Sequence, residues 1–298
     1  MTAKIKKFLL GATVVASMSA IASAPASAFT ITGTDYLLYD VNGNNTYVNP
    51  TANLDSILAG NSANPGGNVE LFASSETLSN AQFLASTART SVSGLVGGSM
   101  LTLSSLTADD WFGAGASRNT SYGANNLANT WFNAFLNAAG QGSASLANRT
   151  QAYNTFLAIG GFQRSSDPNI SYINTSGSDI NIGLAGHYDL RTFYIRPGSP
   201  YAPLAALLPN RFQASEVVRA TYNGTTQYLY SFFATPTGLT HSGSVGADGH
   251  SHSGNYQVSL PGVVTPPPAT AVPEPSAMLA LFGLAGFLVT KRQQSKNV

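Results

Sequence analysis

Apolar residues fall in short runs along most of this chain, and their spacing switches repeatedly between strand and helix periods. From Phe29 to Val48, β-forming residues alternate with polar ones. Tyr36-Leu37-Leu38-Tyr39 and Thr46-Tyr47-Val48 flank Asp40-Val41-Asn42-Gly43-Asn44-Asn45, where the Asn-Gly step predicts a hairpin turn. Leu54 to Gly60 predicts a short helix, 61–68 a loop and Val69 to Phe72 a strand. Thr77 to Ala88 predicts a short helix with Leu78, Phe83 and Leu84 on one side. Ser91 to Leu106 returns to strand character, with apolar positions near period two around Leu101 and Leu103.

The clearest helical pattern spans 107–160. Thr107 stands where a cap belongs, and Asp109 and Asp110 suit the positive end of a helix. Leu127, Trp131, Phe135 and Leu136 form one apolar stripe, stopped by Gly140-Gln141-Gly142. Leu146, Tyr153, Phe156 and Leu157 mark a second helix, ended by Gly160-Gly161, so the pair predicts an αα-hairpin. From Ile170 the pattern reverts to strands at Ile170–Ile173, Asp179–Leu184 and Leu190–Ile195, with one helical turn at Leu204–Leu208. The strongest hairpin signal follows: Glu216–Tyr222 and Thr226–Phe232 around Asn223-Gly224-Thr225. The aromatic run in its second arm implies a strand buried on both faces or a sticky surface. Tyr256–Leu260 is the last strand. The expected fold is α+β: one antiparallel, β-rich domain over 29–260 with a helical-hairpin insert, a β-sandwich with inserted helices being the alternative.

Composition narrows the function. All five lysines lie near the ends, at Lys4, Lys6, Lys7, Lys291 and Lys296, so the body holds 12 acidic residues against eight arginines. That balance argues against a nucleic-acid partner, which needs clustered cations. There is no cysteine, which excludes disulfides, zinc–thiolate centres and cysteine nucleophiles.

Both ends are specialised. Met1 to Ala28 reads as a cleavable signal peptide: Lys4, Lys6 and Lys7, then apolar Phe8 to Ile21, then the small residues Ala26-Ser27-Ala28. Cleavage before Phe29 is expected; Ala22-Ser23-Ala24 competes but would leave Pro25 at the new terminus. The partners this implies are a secretion translocon and a signal peptidase. Near the other end, Pro266-Pro267-Pro268 stiffens a spacer over 261–272. Pro273-Glu274-Pro275 follows, then an apolar run over 276–290, then Lys291 and Arg292. As a helix that run would be roughly 22 Å long, short of the ~30 Å hydrocarbon core, with the cations held on the cytoplasmic side.

This order of triplet, short apolar helix and basic end resembles the PEP-CTERM sorting signal of bacterial and cyanobacterial envelope proteins. The resemblance covers 273–298 alone. It implies an exosortase-like membrane protease as partner, a transient membrane anchor, and a destination on the cell surface or in an extracellular matrix rich in exopolysaccharide. Pro273, Glu274 and Pro275 match the recognition triplet, and Lys291 and Arg292 the stop-transfer cluster. None of this assigns a role to 29–260.

Candidate chemistry in the body is sparse. His241, Asp248, His250 and His252 lie close together, and His250 and His252 would share one side of an extended strand. Neutral imidazole binds zinc, copper or nickel, so a divalent metal is the one cofactor these residues would admit; the competing reading is a solvated polar loop. His187 and Asp189 would face the same way in a strand. Asp40, Asn42 and Asn44 fit the start of a calcium loop, but Asn45 and Thr51 stand where glycine and a bidentate carboxylate belong. Gly249-His250-Ser251-His252-Ser253 misses the nucleophile elbow at its last position. Gly113-Ala114-Gly115-Ala116-Ser117-Arg118 ends in arginine where a dinucleotide loop needs glycine. Asp109 and Asp110 would diverge on a helix, which unfits them as a glycosidase pair, although carboxylates from distant segments could converge. No catalytic residue is assigned. The leading expectation is a non-enzymatic surface or matrix protein with a structural or adhesive role toward exopolysaccharide. The alternatives are a secreted metal-dependent hydrolase, using some of His187, Asp189, Asp248, His250 and His252, and a calcium-stabilised carbohydrate-binding module.

Overall fold

The structure is a computed structural model that describes residues 28–195, 199, 201–241 and 252–261. The residues up to 27, where a signal peptide is expected, the segment with Asp248 and His250, and the stretch from 262 on, where the sorting tail with its apolar run is expected, lie outside the described residues. Among those described, no helix is long and apolar enough to cross a membrane.

The strands are, in chain order, β1 (Thr30–Thr32), β2 (Tyr36–Asn42), β3 (Asn45–Val48), β4 (Gly67–Leu71), β5 (Ser91–Val96) and β6 (Ser99–Ser104), then β7 (Asn169–Ser176), β8 (Asp179–Gly186), β9 (Val218–Tyr222), β10 (Thr225–Leu229), β11 (Thr235–Pro236), β12 (Thr240–His241) and β13 (Gly254–Leu260). The helices are α1 (Leu54–Leu58), α2 (Asn80–Ala85), α3 (Ala108–Phe112), α4 (Leu127–Ala138), α5 (Leu146–Ala158), α6 (Leu190–Ile195) and α7 (Ala202–Ala205).

One sheet runs β1-β5-β6-β9-β10 and the other β11-β13-β8-β7-β4-β2-β3-β12. The pairs are antiparallel except β3 with β12. The two sheets curl into a half-barrel whose inner faces share one core. Val69 and Leu71 of β4, Leu101 and Leu103 of β6, Ile182 and Leu184 of β8 and Val218 of β9 all meet there. Burial of each such side chain contributes about 1.5–3 kcal/mol. Phe29 joins this core from the edge. Its ring covers Gly94, where a Cβ would come within 2.5 Å of it, and its backbone nitrogen donates to Asp55 Oδ1 at 2.8 Å.

A two-residue turn sets the register of β9 and β10. Asn223 and Gly224 have φ of +50° and +75°, the pair of left-handed conformations that a type I′ turn requires. β10 is an edge strand. The second arm packs on both faces: Tyr228, Tyr230 and Phe232 lie against a second, helical core, while Leu229 faces the first.

That second core is built by the insert. Thr107 and Asp110 close a capping box at the start of α3. Asn126 caps α4 and Ser145 caps α5 through their side chains. The stripe read from the sequence buries Trp131 and Leu136, with Phe132 beside them, and α5 adds Tyr153. Leu146 departs from the expected stripe: it opens α5 and is 65% exposed.

The expected strand at Leu190–Ile195 is instead helix α6. β8 ends at Gly186, and Asp189 accepts from both the N–H and the hydroxyl of Thr192, at 3.1 and 2.8 Å. That side-chain cap starts a helix and outweighs the weak β preference of Thr, Phe, Tyr and Ile.

Candidate functional site

The segment 165–169 runs between the two cores and is tied on every side by backbone hydrogen bonds. Ser165 O accepts from Val217 N, Ser166 O from Leu106 N, and Pro168 O from Leu71 N, at 2.9–3.1 Å. Ser166 Oγ also accepts from Trp111 Nε1 at 2.8 Å. This lashing fixes Asp167, which is 3% exposed. Ser75 donates to its Oδ2 at 2.5 Å, while its Oδ1 has no partner.

Two more carboxyls reach the same place from other segments. Glu70 sits on β4, opposite Asn169 of β7, and accepts from Tyr39 Oη at 2.9 Å. Glu216 precedes β9 and accepts from Asn169 N at 3.0 Å and Asn169 Nδ2 at 3.2 Å. Burial pushes Asp167 well above the ordinary carboxylate range; the charges of Glu76 and Glu70 push it further, against the Ser75 hydrogen bond. Glu216 is raised in the same way, by burial first and then by Asp167 and Glu70, against its bonds from Asn169. Both are therefore held toward their neutral, proton-bearing forms.

These groups form the floor of a cleft of about 1070 Å³. One wall is apolar, with Phe132, Phe135, Leu136 and Phe156 from the helical hairpin and Phe212 beyond it. The other carries Tyr39, His187, Phe193, Tyr194, Tyr201 and His252. Arg164 pairs with Glu76 at 2.7 Å and lies over the Tyr201 ring, 5.1 Å from its centroid. Burial raises the Tyr194 phenol, which keeps it protonated. Enclosed space of this size, with ring faces on the walls and a few polar groups at one end, has the anatomy of an organic-ligand site.

No family model matches the chain, and no curated protein or solved structure matches it at a significant level.

The sequence-derived candidates fall in different places. His252 is 4% exposed and left-handed, with φ +72°. Its Nδ1 lies 2.9 Å from Thr46 Oγ1, its carbonyl accepts from Thr237 Oγ1, and its ring meets Tyr39 edge-on at 4.7 Å. A non-glycine residue held in this region costs of the order of 1 kcal/mol or more and such residues gather at functional sites. His241 contributes its backbone to β12, opposite Thr46. Asp248 and His250 lie outside the described residues, as do Ala26, Pro273, Glu274, Pro275, Lys291 and Arg292; Ala28 is exposed, directly before the seated Phe29. Among the described residues, no three histidine or acidic side chains could hold a metal ion.

His187 and Asp189 separate. The His187 ring stacks on Phe193 with centroids 3.8 Å apart, whereas Asp189 turns away to cap α6. Asp40, Asn42 and Asn44 belong to the β2–β3 hairpin. Asp40 is already engaged there, by Val41 N through Oδ1 and by Tyr47 and Asn49 through Oδ2. Asp109 and Asp110 diverge as expected: Asp109 pairs with Arg118 and Asp110 with Arg89.

Sequence reasoning missed Glu70, Asp167 and Glu216. One local signal was present. Glu70 stands inside the apolar run Val69 to Phe72, and an acid within an otherwise buried strand requires a partner or a task.

Proposed function

We propose that this chain is an exported envelope or matrix protein whose body binds saccharide in the cleft between the helical hairpin and the larger sheet. The cleft carries the reading. Aromatic faces suit the C–H surfaces of sugar rings, and neutral carboxyls, Asn169 and the tyrosine hydroxyls suit sugar hydroxyls as donors and acceptors together. The signal-peptide pattern and the tail that resembles an exosortase substrate support delivery to the surface, where exopolysaccharide would be the ligand at hand. The test is calorimetric titration of the full-length protein with neutral oligosaccharides of two to four units. Binding that is lost in Phe135→Ala and Tyr201→Ala, with the fold retained, is expected. No heat and no shift in melting temperature across such a series would sink the reading.

Glycoside hydrolysis is the second reading, favoured by Asp167 and Glu216 held toward their proton-bearing forms on the floor, since a raised acid able to protonate the leaving oxygen is one half of the pair that glycosidic cleavage employs. Release of reducing ends on prolonged incubation, abolished by Glu216→Gln, would establish it.

A further inference from the structure

Two buried acceptors on the cleft floor have no hydrogen-bond partner, Asp167 Oδ1 and Asn169 Oδ1. Their residues are 3% and 7% exposed, and both line the cleft. A buried acceptor without a donor is destabilising in the empty protein. Around them stand three further carboxyls, Glu70, Glu76 and Glu216. The cations lining the same space are Arg164, taken by Glu76 at 2.7 Å, and Arg149 on α5. His187, His252 and the phenols of Tyr39, Tyr194 and Tyr201 complete the titratable groups that face the cleft. The floor thus offers unfilled acceptors and more acid than base.

We propose that this floor seats an organic ammonium group, and that the saccharide bound in the cleft carries a free amine, as a hexosamine without its N-acetyl group does. The inference rests on the reading of the cleft as a saccharide site. An ammonium presents three N–H donors from one point, which matches single oxygens contributed by separate side chains. A guanidinium requires a free coplanar pair of oxygens. Asp167 lacks such a pair because Ser75 occupies Oδ2, and Glu216 lacks one because Asn169 occupies its carboxylate. A metal ion is disfavoured, since among the described residues no three acidic or histidine groups have the geometry to hold one. Tyr39, Tyr194 and Tyr201 flank the floor, and ring faces attract cations.

The seat has a thermodynamic signature. The ammonium takes the place of protons held by Asp167 and Glu216, so its binding releases protons. Affinity therefore strengthens as pH rises through the range in which those two acids give up their protons, until the amine loses its own.

The experiment titrates the full-length protein with a glucosamine trimer and with an N-acetylglucosamine trimer, in buffers of different ionisation enthalpy. The free-amine trimer is expected to bind about tenfold or more tightly and to release protons. Asp167→Asn and Glu216→Gln are expected to remove that advantage, so that each variant binds the two trimers with equal affinity. Equal affinity for the two trimers overturns the ammonium seat and leaves saccharide binding standing. Failure of both trimers, and of a neutral hexose trimer, to bind overturns saccharide binding and the seat with it. If Asp167→Asn does not fold, proton release by the unaltered protein decides: release supports the seat, and its absence overturns it.

Discussion

Asp110 and Asp167 are both buried acids, yet their surroundings push them in opposite directions. Burial opposes ionisation of Asp110, but Arg89 at 2.7 Å, Thr107 N at 2.7 Å and Tyr228 Oη at 2.8 Å outweigh it, and its pKa falls. Asp167 has a serine in place of an arginine, and its pKa rises. The two consequences for stability have opposite signs. Asp110 contributes stability above the unfolded carboxylate value of about 3.9, lost as pH falls through its lower folded value. Asp167 and Glu216 favour the folded state at low pH, and that contribution is lost as pH climbs from about 4 toward their raised values. Asp110→Asn is expected to cost about 2–3 kcal/mol near neutral pH and progressively less as pH falls below about 3.9. Asp167→Asn should stabilise the protein at pH about 7–8 and flatten its decline above pH about 5. Denaturant unfolding across that range measures both; a decline as steep in Asp167→Asn as in the unaltered protein would contradict the assignment.

At the scale of elements, what the sequence makes legible is what local chemistry decides. The Asn223-Gly224 turn, the Thr107 cap and the α4 stripe each rest on neighbouring residues, and each forms where its pattern lies. α6 rests on a contest. Thr192, Phe193, Tyr194 and Ile195 favour a strand, and the Asp189 side chain favours a helix by satisfying its first N–H groups. The helix matters to the cleft because it carries Phe193 and Tyr194 to the wall. Asp189→Ala should weaken α6 by about 1 kcal/mol and lower affinity for the oligosaccharide, while the global melting temperature hardly moves. Amide exchange over 190–195 reads the first effect and titration the second. The cleft floor itself was hidden because Glu70, Asp167 and Glu216 sit in three distant segments, and only Glu70, an acid inside an apolar run, stands out in its local sequence. Only the pairing of β4 with β7, and the tie from Val217 to Ser165, brings them together. His187 and His252 stood out as chemistry-bearing residues and do line the cleft.

For the whole molecule, the two cores divide the labour. The sheets share a largely aliphatic interior, and the insert has an aromatic interior in which Trp111, Trp131 and Phe162 meet one another edge-on or tilted. The cleft opens beside the hairpin, so its apolar wall is also the flank of the second core. If the chain is exported as proposed, the mass of the mature protein's terminal peptides should place its first residue at Phe29 and its last near Pro275. Recovery of Leu279 to Val298 on the mature protein would mean that the apolar run persists as an anchor.

Phe29 turns that proposed cut into more than the removal of a leader. In the uncut chain its nitrogen is an amide donating to Asp55 in the first turn of α1. Proteolysis before Phe29 would make the same atom an ammonium, and the hydrogen bond an ion pair. An exposed pair of this kind is worth about 0–1 kcal/mol, enough to raise the melting temperature by about 2 °C in a domain of this size. Asp55→Asn should therefore lower the melting temperature of the processed chain and leave that of the unprocessed chain unchanged. The edge strand beside β5, already seated while the leader is attached, would then gain one ion pair through maturation, so that the protease that releases the chain also fastens its first strand.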